Sequence, residues 1–261
     1  MIFASDLDKT LIFSKRHLPS SKKLVLAETK NKAPVAFMAE DTFNGLKSFI
    51  SKKGIFIPAT ARTQEQYDRI DILKLLPIKY AIICNGKRIL INGKSDPVWE
   101  EKMNQKIATL PKQIPDIFEE VKSFTESNLP DSTPSYYLYD NYMAMISFPD
   151  AKELTETFIE DVNKLMKNTG WYAFACGRKL YISTNFINKK FALEYIKETL
   201  LKNEHKAIAS GDSLYDLEML QYSDFPIIPR NAEIADVLKT TNETNFKGSI
   251  EIVDYILELT K

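Results

Sequence analysis

The stretch FASDLDKTLI, residues 3–12, joins a short apolar strand to a pair of carboxylates. Residues 2–4 form the predicted strand, and Asp6 and Asp8 follow it two positions apart. Like charges at the end of a core strand repel one another and are unfavourable to bury. Since sites in open parallel sheets form beyond the carboxyl ends of the strands, we expect this stretch to begin both the core and the functional site.

Length and composition limit the classes of function. The chain has 261 residues, enough for one large domain or two modest ones. Lys plus Arg equals Asp plus Glu at 35 each, so no nucleic-acid partner is expected. No apolar run approaches the roughly 20 residues of a membrane span, and no signal peptide is expected. The two cysteines, Cys84 and Cys176, have no metal-type spacing and suit a reducing cytoplasm, the expected location.

The two ends of the chain have the same organisation, in which strand-like runs alternate with helix-like segments. This order predicts an α/β core with a Rossmann-like parallel sheet covered on both faces. The predicted core strands are residues 2–4, 55–59, 80–84, 207–209 and 225–228, with helices near 41–52 and 64–75.

The middle of the chain has a different pattern, with hairpin-like pairs of strands and helical segments near 111–125 and 151–168. The first hairpin joins strands over 87–90 and 96–100 through the turn residues Asn92 and Gly93. We therefore predict an antiparallel α+β unit over residues 86–185, inserted into a discontinuous core of residues 1–85 and 186–261. A second insertion, residues 14–39, is predicted to form a small hairpin of 24–27 and 35–38 beside the site, with its role left open.

Polar side chains follow three of the core strands, where they are expected to converge on one edge of the sheet. Four carboxylates in one cleft cannot stay dry and unpaired, and a hard divalent cation such as Mg²⁺ is the simplest partner. The convergent residues are Asp6, Asp8, Thr10, Thr60, Arg62, Asp212 and Asp216.

Purely structural roles remain open for some of these residues. Asp6 and Asp8 could be capping or solvated loop residues, and Asp212 and Asp216 could begin a helix. Thr60 could cap the helix that follows it, and Arg62 could belong to an ion pair.

Four motifs resemble those of the haloacid dehalogenase (HAD) superfamily. DLDKT at 6–10 is similar to the DxDxT motif, and IPATAR at 57–62 resembles the second motif, a strand ending in Thr. NKKFAL at 188–193 is similar to the third motif, and GDSLYDLEML at 211–220 to the fourth. The inserted unit lies between the second and third motifs. This position resembles the C2-capped branch, which includes the Cof-like, sucrose-phosphate phosphatase and mannosyl-3-phosphoglycerate phosphatase groups.

The resemblance implies a role for each motif residue. Asp6 would be the nucleophile that forms an aspartyl-phosphate, and Asp8 the general acid and base. Thr60 and Lys189 would hold phosphoryl oxygens. Mg²⁺ would be held by Asp6, Asp8 (through its backbone carbonyl) and Asp212, and Asp216 would bind it through water or orient Lys189.

Three positions depart from the usual motifs of the family. Lys9 and Lys190 stand where glycine is common, and Ala61 replaces the glycine of Thr-Gly-Arg. None of the three departures removes a functional side chain. They leave Lys189 and Lys190 as competing candidates for the phosphate ligand, with Lys189 favoured by the register of Asn188.

The resemblance implies a Mg²⁺-dependent phosphomonoesterase that acts on a small phosphorylated metabolite, such as a sugar phosphate. Thr10, Arg62, Asn85 and Arg178 are the candidate substrate-binding residues. A sugar phosphomutase of the same fold and a non-catalytic phosphate- or sugar-binding regulator remain as alternatives. The oligomeric state is left open.

Overall fold

The computed structural model describes residues 1–15 and 23–260. The strands are β1 (Ile2–Ser5), β2 (Phe13–Ser14), β3 (Leu24–Lys30), β4 (Ala33–Ala39), β5 (Ile55–Pro58), β6 (Tyr80–Ile83), β7 (Arg88–Ile91), β8 (Lys94–Ser95), β9 (Ser135–Tyr139), β10 (Met143–Ser147), β11 (Tyr172–Cys176), β12 (Lys179–Ser183), β13 (Ala207–Ser210) and β14 (Phe225–Pro226). The helices are α1 (Glu40–Ser51), α2 (Gln64–Asp68), α3 (Pro97–Ala108), α4 (Ile114–Asn128), α5 (Glu156–Leu165), α6 (Lys189–Glu194), α7 (Leu217–Tyr222) and α8 (Asn245–Glu258). Among the described residues, none of the helices has the length and apolar character of a membrane span.

A parallel sheet of order β14-β13-β1-β5 forms the centre of the fold and confirms the predicted α/β class. All four residues of β1 are buried, as expected of a strand covered on both faces. The third predicted core strand, β6, meets this sheet through a single parallel bridge between Ala59 and Ile82. Its main partner is β7, with which it pairs in antiparallel register.

The contacts divide the chain into two compact units, Met1–Pro97 with Asn188–Lys261, and Val98–Ile187. The first joint therefore lies at 97–98, whereas the sequence predicted it at 85–86. The difference arises because β7 and β8 continue the antiparallel sheet that begins with β6, so this hairpin remains with the core.

The second unit is built on an antiparallel sheet of order β11-β12-β10-β9. Helices α4 and α5 cover one face of it, with Ile117, Val121 and Val162 packed against strand residues such as Ile146 and Leu180. The predicted strand over 96–100 is wrong, because Pro97 begins α3. Proline suits the first turn of a helix, where its missing N–H is not needed.

Two segments of the core differ in detail from the sequence prediction. The helix predicted over 64–75 is divided into α2 and a 3₁₀ helix, Asp71–Leu75. The small hairpin is present as β3 and β4, and β4 also pairs with β2, which gives a three-stranded sheet of order β2-β4-β3. Residues 16–22 of the predicted 14–39 insertion lie outside the described residues.

Helices α1 and α8 pack closely enough that only glycine fits at one position. A Cβ added to Gly45 would lie 2.0 Å from Cγ1 of Val253, which is itself buried. Nearby, the hydroxyls of Thr42 and Ser249 share a buried hydrogen bond of 2.8 Å. The close approach is therefore fixed by both apolar and polar contacts.

We expect Gly45→Ala to destabilise the protein, although alanine is the better helix former. The added methyl must displace Val253 in a packed core, and such overpacking typically lowers the free energy of unfolding by about 1–3 kcal/mol. Asn44→Ala, at an exposed position of the same helix, is the matched control and should be neutral or slightly stabilising. Thermal unfolding measures both variants, and a Gly45→Ala protein as stable as wild type would contradict this packing.

Candidate active site

Asp6 lies just beyond the carboxyl end of β1, beside the end of β13. Parallel pairing sets Ser5 opposite Ser210, and the N–H of Asp6 donates to the carbonyl of Ser210 at 2.8 Å. The loop that follows β13 is therefore held next to Asp6. This pairing brings together the first and fourth sequence motifs, which are about 200 residues apart in the chain.

The loop after β13 is folded around the carboxylate of Asp216. Its Oδ2 accepts hydrogen bonds from the N–H of Asp212 at 3.2 Å, the N–H of Ser213 at 3.1 Å and the hydroxyl of Ser213 at 2.9 Å. A Cβ on Gly211 would lie 2.3 Å from Cγ of Asp216, so glycine is required for this approach. One oxygen of Asp216 is thus committed to the loop and the other is directed elsewhere.

Lys189 supplies the cation at the centre of the site. Its Nζ lies 2.6 Å from Oδ1 of Asp6 and 2.7 Å from Oδ1 of Asp216, and its side chain is 2% exposed. Lys189 is the first residue of α6, and Asn188 caps this helix by accepting the N–H of Lys190 at 2.8 Å. Lys190 itself pairs with Glu194 at 2.9 Å. Of the two lysines, only Lys189 is placed against Asp6.

The charges in this site strongly affect one another. Burial alone would lower the pKa of Lys189, but the carboxylates of Asp216 and Asp6 outweigh it and raise the pKa above its ordinary value. Burial raises the pKa of Asp6 well above its ordinary value. Lys189 opposes this rise, whereas the other carboxylates add to it. One lysine therefore does not balance the acidic groups around it.

Asp212 completes a group of three carboxylates. One oxygen each of Asp6, Asp212 and Asp216 lies within 4.8 Å of the others, an arrangement that could hold a metal ion. Burial, followed by the charge of Asp216, raises the pKa of Asp212 to about 7, while Lys9 and Lys189 act in the opposite direction. Lys9 Nζ is 3.9 Å from Asp212 and 59% exposed, so it is a weak counter-charge.

Thr60 follows β5 and Asn85 follows β6, and the two residues lie close together. The N–H of Thr60 donates to the carbonyl of Ile82 at 2.8 Å, and the N–H of Asn85 donates to the carbonyl of Thr60 at 3.0 Å. The hydroxyl of Thr60 accepts from the N–H of Arg62 at 3.2 Å. Both side chains are nearly fully buried at the edge where β1 ends.

Thr10 is fully buried, and its hydroxyl has no hydrogen-bond partner among residues 1–15 and 23–260. It follows Asp6 and Asp8 in the loop after β1, where the N–H of Thr10 donates to the carbonyl of Leu7 at 3.3 Å. The loop therefore folds back on itself directly after the two aspartates.

Asp8 has surroundings quite different from those of Asp6. Its side chain is 52% exposed and forms a bidentate ion pair with Arg62. Nε of Arg62 donates to Oδ2 of Asp8 at 2.7 Å, and Nη2 donates to Oδ1 at 2.8 Å. Arg62 also donates from Nη1 to Glu28 at 2.8 Å. Burial would lower the pKa of Arg62, but its bonds to Asp8 and Glu28 raise it.

The site thus contains two groups of sequence-predicted residues, which the structure brings to one edge of the core. Asp6, Lys189, Asp212 and Asp216 form the buried group, whereas the carboxylate of Asp8 lies outside the three-carboxylate group and contacts Arg62. Arg178 belongs to the second unit, in the turn between β11 and β12, where its carbonyl accepts the N–H of Phe148 at 2.9 Å.

Glu28 is the residue of this site that sequence reasoning missed. It is 4% exposed, on a strand of the small hairpin. An acidic residue in the apolar run LVLAETK, residues 24–30, was the available signal.

Sequence comparison identifies the family. A family model described as haloacid dehalogenase-like hydrolase matches residues 108–247, which is more than half of the chain. A curated phosphoglycolate phosphatase of Methanococcoides burtonii is 27% identical over 135 residues, which cover 47% of this chain. The chain spans 59% of the length of that curated relative.

Solved structures share the fold over nearly the whole chain. Sucrose-phosphatase from Synechocystis sp. PCC6803 has a TM-score of 0.67 at 14% identity, covering 98% of this chain and 97% of that one. Trehalose-6-phosphate phosphatase from Aspergillus fumigatus has a TM-score of 0.56 at 11% identity, covering 99% of this chain and 92% of that one. The resemblance to the sucrose-phosphate phosphatase branch is thus confirmed at the level of the fold. With the family model matched over more than half of its length, the chain belongs to the haloacid dehalogenase-like hydrolases.

Proposed function

We propose that the chain is a Mg²⁺-dependent phosphomonoesterase that transfers the phosphoryl group of a small metabolite to Asp6 and then to water. The observation that carries this proposal is the buried ion pair of Lys189 with Asp6. A carboxylate nucleophile needs a fixed orientation and a nearby positive charge to approach an anionic phosphate, and Lys189 supplies both.

In the first step, a carboxylate oxygen of Asp6 attacks phosphorus and the bond to the leaving oxygen breaks. Asp8 donates a proton to that oxygen, so the product leaves as an alcohol. In the second step, water attacks phosphorus, Asp8 accepts the proton, and the bond to Asp6 breaks. Inorganic phosphate is released and both aspartates return to their starting states.

Lys189 and Thr60 are the proposed ligands of the phosphoryl oxygens. Lys189 is already held at 2.6 Å from Asp6, so it can contact an oxygen of the group that Asp6 attacks. The backbone link between Thr60 and Asn85 supports a joint role, with Asn85 and the buried hydroxyl of Thr10 as further contacts. Groups of this kind act by being in place before charge develops.

The carboxylates of Asp6, Asp212 and Asp216 suit a hard divalent cation with oxygen ligands. The raised pKa values of Asp6 and Asp212 support this assignment, because burial is their main cause, neighbouring carboxylates add to it, and a bound cation would favour the ionised forms. Mg²⁺ is the proposed ion, which when bound offsets negative charge on the nucleophile and the phosphate. Asp6, Asp212 and the backbone carbonyl of Asp8 would hold it, and Asp216 would act through water or through Lys189.

A sugar phosphate or a similar small phosphorylated metabolite is the proposed substrate class. The names of the relatives support it, since they include sucrose-phosphatase, trehalose-6-phosphate phosphatase and phosphoglycolate phosphatase. We assign the second unit, Val98–Ile187, as a C2-type cap that selects the leaving group, with Arg178 as a candidate contact. A cytoplasmic location is proposed from the sparse cysteine usage, since Cys84 and Cys176 are far apart and have no metal-type spacing.

Phosphate release tests the reaction directly. With Mg²⁺ present, we expect wild type to hydrolyse an aryl phosphate and a panel of sugar phosphates. Asp6→Asn should lower kcat by at least about 10³-fold, because the nucleophile is lost. Asp8→Asn should lower it by about 10²–10⁴-fold, the usual contribution of a general acid or base.

Asp41→Asn, on the exposed surface of α1, is the matched control and should keep wild-type activity. A wild-type protein that binds phosphate esters without releasing phosphate would contradict the proposal and favour a regulator. A requirement for a sugar bisphosphate activator would instead identify a mutase.

The raised pKa of Asp212 predicts a dependence of stability on pH in protein kept in EDTA. Its value of about 7 in the folded state exceeds the ordinary 3.8, so the folded protein takes up the extra proton as the pH falls through 7. Wild type should therefore lose stability between pH 6 and pH 8, and Asp212→Asn should lose less. From pH 6 to pH 8, the free energy of unfolding of wild type relative to that of Asp212→Asn should fall by about 1 kcal/mol. This corresponds to a fall of about 3 °C in relative Tm.

Thermal unfolding at the two pH values measures this difference. A difference in Tm between Asp212→Asn and wild type that is the same at pH 6 and at pH 8 would contradict the raised pKa of Asp212. Adding Mg²⁺ at pH 8 should raise the Tm of wild type and leave that of Asp212→Asn unchanged, because the cation takes the place of the proton. A wild-type Tm that does not change when Mg²⁺ is added would contradict the assigned cation site.

A further inference from the structure

The exposed carboxylate of Asp8 is held by a largely buried arginine, Arg62. An exposed aspartate has several rotamers open to it, whereas the two-fold pair with Nε and Nη2 of Arg62 selects one. The guanidinium is planar and donates in a fixed fork, so its own orientation determines that of the carboxylate. The Arg62 side chain is only 14% exposed, so most of it is shielded from solvent.

Arg62 is held in turn by Glu28. The Nη1 of Arg62 donates to Oε2 of Glu28 at 2.8 Å and to the carbonyl of Gln66 at 3.3 Å. Four of the five N–H donors of Arg62 are thus engaged by described residues. This arrangement leaves little capacity for substrate, and favours a role toward Asp8 over the predicted role in substrate binding.

Glu28 is placed by the backbone of the small hairpin. The pairing of β3 with β4 shifts between Leu26 and Glu28, and this irregularity directs the carboxylate inward, where its side chain is 6% exposed. Its second oxygen, Oε1, accepts from Nε of Arg69 at 3.2 Å. Each oxygen of Glu28 therefore faces a different arginine, and the buried acid is fully paired.

We propose that Glu28 is a positioning residue for the general acid and base Asp8, acting through Arg62. This inference rests on the proposed phosphatase function. In the described part of the chain, the hydrogen bonds and ion pairs of Glu28 go to Arg62 and Arg69 and not to the three-carboxylate group. Glu28 holds the guanidinium of Arg62 against the carboxylate of Asp8. The orientation of the carboxylate that transfers the proton therefore depends on the β3–β4 hairpin. Without Glu28, the Nη1 of Arg62 loses its ionic partner, and the guanidinium group can rotate away from Asp8.

Two aryl esters that differ in leaving-group ability separate positioning of Asp8 from general damage. Phenyl phosphate has a poor leaving group that needs a proton, whereas 2,4-dinitrophenyl phosphate has a good one that does not. We expect Glu28→Gln to lower kcat/KM for phenyl phosphate by at least about 10-fold. For 2,4-dinitrophenyl phosphate the loss should stay below about 3-fold, because departure of that group does not need general-acid help. The inhibition constant of inorganic phosphate should not change.

Glu65→Gln is the matched control. Glu65 belongs to the same charge network, 3.4 Å from Nη1 of Arg69, but its side chain is 88% exposed. The same chemical change there should leave both esters at wild-type rates. Arg62→Lys is the second variant, in case Glu28→Gln folds poorly. It keeps the charge but not the two-fold contact, and should give the same selective loss.

The outcomes separate this inference from the proposed function. If wild type hydrolyses both esters and the variants lose activity equally on both, or lose none, Glu28 does not position Asp8 and the phosphatase function stands. If wild type hydrolyses neither ester, the proposed function fails. The link is then tested by the Tm values of Glu28→Gln, Asp8→Asn and the double variant, where additive shifts would overturn it and non-additive shifts support it.

Discussion

The site depends on one buried cation, the ammonium of Lys189 between Asp6 and Asp216. Carboxylates this deep would be strongly unfavourable without a partner, and the lysine would be equally unfavourable alone. The pairing of β1 with β13, the close approach at Gly211 and the start of α6 at Lys189 all serve to bring these three groups together. Much of the local backbone can therefore be understood as the support of one triad of charges.

The two aspartates of the opening stretch differ in every respect that affects chemistry. Asp6 is buried and bound to a lysine, whereas Asp8 is half exposed and bound to an arginine that Glu28 holds from behind. A nucleophile benefits from a rigid, dry position, and a group that exchanges protons with water benefits from access to solvent. The spacing of two residues places both near the same point and gives them different surroundings.

The sequence predicted the α/β class and the convergence of Asp6, Asp212 and Asp216, because strand ends are local signals. The carboxylate of Asp8, which was expected in the same group, lies outside it. Lys189 was predicted only through the resemblance of residues 188–193 to a family motif. The sequence predicted the first joint at 85–86, whereas the contacts divide the chain at 97–98, since the choice of β7 as partner for β6 depends on tertiary pairing. It also missed Glu28, because an irregular pairing in β3 changes the face on which a side chain lies, and alternation of apolar residues does not reveal it. The identity of the partner of Arg62 was likewise a matter of three-dimensional packing, since Glu28 is 34 residues away in the chain.

We propose that Asp6, held by Lys189, accepts a phosphoryl group. The most direct measurement is ¹⁹F NMR of the protein with Mg²⁺ and beryllofluoride, which mimics a phosphoryl group bonded to a carboxylate. We expect resonances of bound fluoride in wild type and their loss in Asp6→Asn, with Asp8→Asn still forming the adduct. Bound resonances that persist in Asp6→Asn, or their absence from wild type, would contradict it.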